Sequence, residues 1–238
     1  MTKVLSIIIP AFNEAKSIGF LSQNIPKFSQ FNLRIILVDD GSTDDTAYLA
    51  HKVGFIVKSN QKNLGLGKTF KLGLFHALNE GSDIIVILDG DGQYNAREIS
   101  HLIRPLMRKK ADLVIGNRFL SKHNQKMNIH KLLANKIISI FISNILLLLK
   151  ETYDVQSSFR AFNARFGRFL YKNLKGEYNY AQEMFILAIL FNYRIIQIPI
   201  RCYKRLYGKS KLIKNPFLYL FKILSITLKT YFKIRFLH

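Results

Sequence analysis

The stretch Ile84-Ile-Val-Ile-Leu-Asp-Gly-Asp-Gly-Gln93 runs five apolar residues straight into two carboxylates placed two residues apart. A short continuous apolar run that ends in turn residues reads as a strand buried on both faces. The same design occurs twice upstream, where Val4–Ile9 runs into Pro10-Ala-Phe-Asn-Glu14 and Ile35–Val38 into Asp39-Asp-Gly-Ser-Thr43. Phe55–Val57, Leu113–Ile115 and Ile195–Ile200 are further strand candidates. Amphipathic stretches separate the earlier ones, at Ala15–Ile25, Thr43–Val53, Lys68–Asn79 and Ala96–Lys109. Asn95 with Glu98 three residues on reads as a capping box opening the last of these. Strand alternating with helix predicts an α/β fold, a mainly parallel sheet with helices on both faces. Ligands of such sheets bind beyond the carboxyl ends of the strands. Glu14, Asp39, Asp40, Asp89 and Asp91 therefore share one rim, which is unfavourable unless each meets hydrogen-bond donors or a cation.

The 238 residues are 49 % hydrophobic and 21 % charged, a globular composition with ample core. The single cysteine, Cys202, excludes an intrachain disulfide and a Cys-rich zinc module. The first apolar run is too short for a secretory signal, and no run reaches the roughly 18 apolar residues of a membrane-spanning helix. The net charge of +21 is unevenly placed. Residues 1–100 carry 10 basic and 10 acidic side chains, whereas residues 101–238 carry 26 and 5. A neutral half is thus joined to a half that faces an anionic partner, either nucleic acid or anionic lipid.

The second half differs in pattern as well. Lys131–Leu149 has helical periodicity, with Leu133, Ile137, Ile140, Phe141, Ile145 and Leu148 on one side and Lys131, Asn135, Lys136, Ser139, Ser143 and the following Lys150 on the other. Tyr153–Phe162 reads as a polar, Ser-rich loop, and Arg165–Leu174 and Ala181–Phe191 as helices. After the strand at Ile195–Ile200 comes a basic loop, Arg201–Lys211. Pro216–Leu237 is apolar apart from a stripe at Lys222, Lys229 and Lys233, the pattern of a helix lying in a bilayer interface or docking on a membrane protein. Residues 1–212 are expected to form the catalytic domain, with 1–120 binding the donor and 121–212 facing acceptor and membrane, and 213–238 to form a basic amphipathic tail.

Several site classes are excluded. The first strand turn lacks G-x-G-x-x-G, so it is not a dinucleotide site. Gly65-Leu-Gly-Lys-Thr69 imitates the end of a P-loop, but Lys62 stands where its first glycine belongs. Asp89-Gly-Asp91 offers hard oxygen ligands suited to Mg²⁺ or Mn²⁺ shared with a diphosphate, and no His or Cys cluster suggests zinc.

Together Ile7–Glu14, Val38–Asp44, Asn63–Gly67, Leu88–Gln93, Gly116–Phe119, Ser157–Arg160 and Tyr207–Lys211 closely resemble the family 2 glycosyltransferases of GT-A fold. The subgroup resembled is the dolichyl- and polyprenyl-phosphate sugar synthases, dolichyl-phosphate mannose synthase among them. The resemblance implies that Pro10, Asn13, Glu14, Asp40 and Asp89 meet the nucleotide-sugar donor, and that Asp91 and Gln93 hold Mg²⁺ or Mn²⁺. It places Asp89, Asp91 and Arg118 in the catalytic machinery, with Arg118 and Lys131 on the acceptor phosphate. Three departures stand out: Lys131 replaces an arginine, Ser158 replaces a glycine, and the C-terminal spanning helices of many members are replaced by the Lys-striped tail.

The expected activity is metal-dependent, inverting transfer of a hexose from a GDP- or UDP-sugar to a polyprenyl phosphate. The expected location is peripheral, on the cytoplasmic side of an anionic membrane, with a possible membrane-protein partner at the C-terminal helix. A lipid phosphate is already anionic near neutral pH, so its site calls for cations rather than a general base, and residues 101–238 supply cations. Two alternatives remain open: a family 2 transferase acting on a sugar hydroxyl in a surface glycan, and a basic RNA-binding protein. The aromatics of Arg201–Arg235 alternate with Leu and Ile at helical spacing, which suits packing better than base stacking, so nucleic acid is not an expected partner.

Overall fold

The computed structural model describes all residues except 1, 122–128, 177–179, 206, 208–215 and 237–238. Seven strands form one sheet: β1 (Lys3–Ala11), β2 (Phe31–Asp39), β3 (Ile56–Ser59), β4 (Ile84–Ile87), β5 (Leu113–Asn117), β6 (Arg160–Asn163) and β7 (Ile195–Pro199). Their spatial order is β3-β2-β1-β4-β6-β5-β7. Every pairing is parallel except those of β6, which runs antiparallel to both β4 and β5. The helices are α1 (Ala15–Asn24), α2 (Thr46–Lys52), α3 (Leu66–Asn79), α4 (Ile99–Met107), α5 (Ile129–Ile140), α6 (Ala164–Asn173), α7 (Tyr180–Leu190) and α8 (Pro216–Phe236).

The unbroken apolar runs have a direct cause, since the central strands β1 and β4 are covered on both sides. Ile7, Ile9, Leu37 and Val86 pack with Ile18 and Leu21 of α1 and Leu102 and Ile103 of α4. Ile8, Ile36, Ile85 and Ile87 point the other way, into a core with Phe70 and Leu74 of α3, Phe166 of α6 and Phe185 of α7. Successive residues of a strand face opposite sides, so two cores require apolar residues at every position.

Three expectations change. The loop expected over Tyr153–Phe162 gives up its last residues to β6, which fills the gap between β4 and β5. Four residues beginning with an arginine carry no strand periodicity, and only the two neighbours make the segment a strand. The capping box is half formed. Asn95 caps through Arg97 N at 3.2 Å, while the Glu98 carboxylate turns away to accept Arg201 N at 2.9 Å. The helix expected over Lys131–Leu149 ends at Ile140 and continues as a π-helical turn over Phe141–Leu146.

That helix also meets the protein through small polar side chains. Ser139 and Ser143 are fully buried beside Ile138 and Ile142, while Leu133, Ile137, Ile145 and Leu148 are exposed. The C-terminal α8 packs on α7 and α5, burying Ile223, Thr227 and Tyr231 at four-residue spacing and leaving Phe232 and Phe236 outside. Among the described residues no helix is long and apolar enough to cross a membrane.

Candidate active site

Parallel β1, β2, β4, β5 and β7 end at one rim, and antiparallel β6 begins there, with Arg160 opposite Ile87 and Ile115. Every carboxylate that the sequence places on this rim has an identified partner.

The loops after β1 and β2 pin each other. Asn13, at φ 54°, donates its N–H to Ser42 Oγ at 2.8 Å and accepts Thr43 N on Oδ1 at 2.7 Å. Glu14 N donates to Thr46 Oγ1 at 2.8 Å. Pro10, still in β1, is buried beside Val38. Asp39 Oδ1 accepts Ser42 N at 3.1 Å. Asp40 reaches across to the loop before α3, where Oδ1 accepts Asn60 Nδ2 at 2.8 Å and Leu64 N at 2.9 Å, and Oδ2 accepts Gly65 N at 2.9 Å. A carboxylate engaged this fully fixes the loop before α3 against the end of β2. Gly41 between them has φ +73°, and a Cβ there would come within 2.6 Å of the Lys62 backbone, so only glycine fits.

Asp89 and Asp91 follow β4. Ser158 Oγ donates to Asp89 Oδ2 at 2.5 Å. Burial pushes the Asp89 carboxyl above its ordinary pKa, and the Ser158 bond and the Arg118 charge oppose that rise. Asp91 Oδ1 accepts Gln93 N at 3.0 Å. Gln93 is tied to the strand leaving β7 by Nε2 to Tyr203 O at 3.1 Å and by Tyr203 N to its own carbonyl at 2.8 Å. The Gln93 amide nitrogen is thus the end of its side chain that meets the protein.

The segment after β7 delivers a residue that the sequence reading did not single out. Arg205 forms an ion pair with Glu14, and its Nη1 stands 4.0 Å from Asp91 Oδ2. A guanidinium therefore lies between two carboxylates of the rim, a protein cation where the chemistry of the donor set suits a metal. The detectable signal was positional: Arg205 follows the last parallel strand, whose end faces this rim. No group of three or more His, Cys, Asp or Glu able to hold a metal occurs among the described residues. One carboxylate and one amide oxygen fit a divalent ion that takes its remaining ligands from a substrate diphosphate.

Arg118 lies just past β5, buried, in a two-pronged pair with the fully buried Asp154: Nε to Oδ2 at 2.7 Å and Nη2 to Oδ1 at 2.8 Å. Arg118 N also donates to Asp154 Oδ2 at 3.0 Å. Asp154 belongs to the loop preceding β6, and this loop is held from every side. Val155 N and Tyr153 N donate to Ser139 Oγ and Ser143 Oγ of the α5 segment, at 3.3 and 3.1 Å. Arg160, fully buried, donates to the carbonyls of Ser157, Val155 and Ala181 at 2.7, 2.9 and 2.5 Å. Glu183 accepts the backbone N–H groups of Lys175, at 2.8 Å, and Gly176, which ties the chain following α6 to α7. Lys131 sits in α5, but its side chain lies outside the described residues, as do residues 208–211 of the last motif.

A family model described as glycosyl transferase family 2 matches residues 6–168. The UDP-N-acetylglucosamine–dolichyl-phosphate N-acetylglucosaminyltransferase of Methanococcus voltae is 30 % identical over 219 residues, covering 84 % of this chain and 85 % of that protein. The dolichyl-phosphate beta-glucosyltransferase ALG5D of Trichomonas vaginalis is 29 % identical over 189 residues, 71 % of this chain and 56 % of that protein. Among solved structures, glucosyl-3-phosphoglycerate synthase from Mycobacterium tuberculosis, in complex with Mn²⁺, UDP and glucosyl-3-phosphoglycerate, superposes with a TM-score of 0.66. It covers 96 % of this chain and 80 % of that one at 20 % identity, a likeness of fold, which is GT-A.

Proposed function

The chain belongs to glycosyl transferase family 2, and from that premise we propose that it transfers a hexose, with inversion, from a nucleotide sugar to a polyprenyl or dolichyl phosphate at a membrane surface. One observation carries the acceptor assignment. The buried cation Arg118 is joined, through Asp154 and Val155 N, to a helix that turns Leu133, Ile137, Ile145 and Leu148 outward. A phosphate on an apolar tail calls for both a cation held in place and an apolar surface, and this bonded path links the two. The two relatives named for dolichyl phosphate support the same reading.

In this reading Pro10, Asn13, Glu14, Asp40 and Asp89 border the donor site. Asp91 and Gln93 would hold Mg²⁺ or Mn²⁺, whose charge offsets that developing on the diphosphate leaving group. An acceptor phosphate oxygen bonds to the anomeric carbon as the bond from that carbon to the diphosphate oxygen breaks, and the electron pair leaves with the nucleoside diphosphate. The acceptor is already anionic, with a second pKa of about 6, so the protein need only hold it. Asp154 fixes the plane of the Arg118 guanidinium for that task, and Lys131 of α5 is the second cation in this reading. The exposed faces of α5 and α8 would rest on the membrane as a peripheral attachment.

The test is a donor screen with UDP- and GDP-sugars, Mg²⁺ or Mn²⁺, and undecaprenyl or dolichyl phosphate. A glycosyl phosphoprenol is the expected product. Transfer only to sugar hydroxyls, or transfer indifferent to the prenyl phosphate, would overturn the reading.

A further inference from the structure

We propose that Ser158 is a positioning residue for the donor site, setting Asp89 through a direct hydroxyl-to-carboxylate hydrogen bond. The inference rests on the proposed donor role of Asp89. Ser158 Oγ stands 2.5 Å from Asp89 Oδ2, and the serine is itself buried. The residue occupies the position where the resembled subgroup carries a glycine, which has no side chain to offer.

The loop bearing the bond is held at several points. Ser157 and Val155 are gripped through their carbonyls by Arg160, whose third bond reaches Ala181 in the first turn of α7. Phe159 O accepts Gly116 N at 2.9 Å, and a Cβ on Gly116 would come within 2.9 Å of that carbonyl, so the loop lies directly on β5. Phe159 stacks on Tyr94 with ring centroids 5.1 Å apart, which ties the same loop to the segment following Asp91. Four residues before Ser158, Asp154 holds Arg118. One rigid loop thus places a carboxylate on the donor side and a cation on the acceptor side, and the serine hydroxyl is its contact with the former. A hydroxyl donating to an ionised carboxylate is a strong, directional bond that selects one carboxylate rotamer.

The experiment compares wild type, Ser158→Ala and Ser158→Thr by calorimetry, titrating UDP-glucose, UDP-N-acetylglucosamine and GDP-mannose with Mn²⁺ and no acceptor. Thermal unfolding of each variant provides the check on folding. Ser158→Ala should weaken the Kd of whichever donor wild type binds by about ten- to a hundredfold, measured at a temperature where the variant is still folded. Ser158→Thr, which keeps the hydroxyl, should recover most of that loss. Unchanged donor affinity in Ser158→Ala, or equal loss in both variants, would overturn the inference while leaving the glycosyltransferase reading intact. Wild type binding none of the three donors would overturn both.

Discussion

Arg205 lies against Glu14, 191 positions earlier in the chain, and its other Nη nitrogen faces Asp91. The rim carries carboxylates from three loops, and this guanidinium balances two of them without any ligand. Its side chain is mostly withdrawn from solvent, and burial pulls its pKa below the ordinary arginine value.

A cation already seated between Glu14 and Asp91 opposes a second one. Mn²⁺ titrated alone, followed by its paramagnetic resonance signal, should therefore bind Arg205→Ala about tenfold more tightly than wild type. Asp91→Asn should lose metal-dependent donor binding with the fold intact, and EDTA should abolish transfer. Equal activity in EDTA and in Mn²⁺ would remove the metal from the mechanism.

The Arg118–Asp154 pair makes a simple Arg118 substitution ambiguous. Arg118→Gln leaves a fully buried carboxylate unpaired and should cost about 3–5 kcal/mol of stability in urea unfolding. Arg118→Gln combined with Asp154→Asn should restore much of that stability while the KM for polyprenyl phosphate stays high and donor affinity is nearly unchanged. A double variant with normal acceptor kinetics would confine the pair to a structural role.

The outward row on α5 should drive membrane attachment. Wild type should co-sediment with anionic liposomes, and high salt should release part of it, because apolar burial adds to charge attraction. Ile137→Asp with Ile145→Asp should reduce binding at unchanged melting temperature, since both side chains are exposed. Deleting α8 is a poorer test, because Ile223, Thr227 and Tyr231 are buried against the domain. Liposome binding unaffected by the paired Asp substitutions would move the contact elsewhere.

Asp112, just before β5, offers a test at the end of the strands opposite the rim. Burial alone would raise its pKa, but hydrogen bonds from Arg194 and Asn163 outweigh that and hold it at about 2, against an ordinary value of 3.8. A carboxyl depressed in the folded state contributes stability that is present above the unfolded pKa and lost as pH falls through the folded one. The contribution should therefore be complete above about pH 4 and disappear toward pH 2. Arg194 is more than half exposed, so solvent screening keeps the contribution small. Urea unfolding at pH 7 should show Asp112→Asn slightly weaker than wild type, with the difference shrinking toward pH 2.

The amino-acid order alone determined the parallel scaffold and the rim of polar residues at its strand ends. Both are local properties: apolar runs of strand length ending in Pro10–Glu14, Asp39–Thr43 and Asp89–Gln93 are legible from adjacent residues, and a parallel sheet then brings those ends to one rim. Tertiary structure decided which group each rim residue meets. Asp40 turns to the loop before α3, Glu14 to Arg205, and Arg118 to Asp154, across separations of 24 to 191 residues. β6 is a strand only because β4 and β5 leave a gap for it, and Ser139 and Ser143 face inward because the loop before β6 has N–H groups to satisfy. Hydrophobic periodicity records whether a side chain is buried. It carries no record of which buried polar group must meet which, because that pairing exists only once distant segments have come within hydrogen-bond reach of one another.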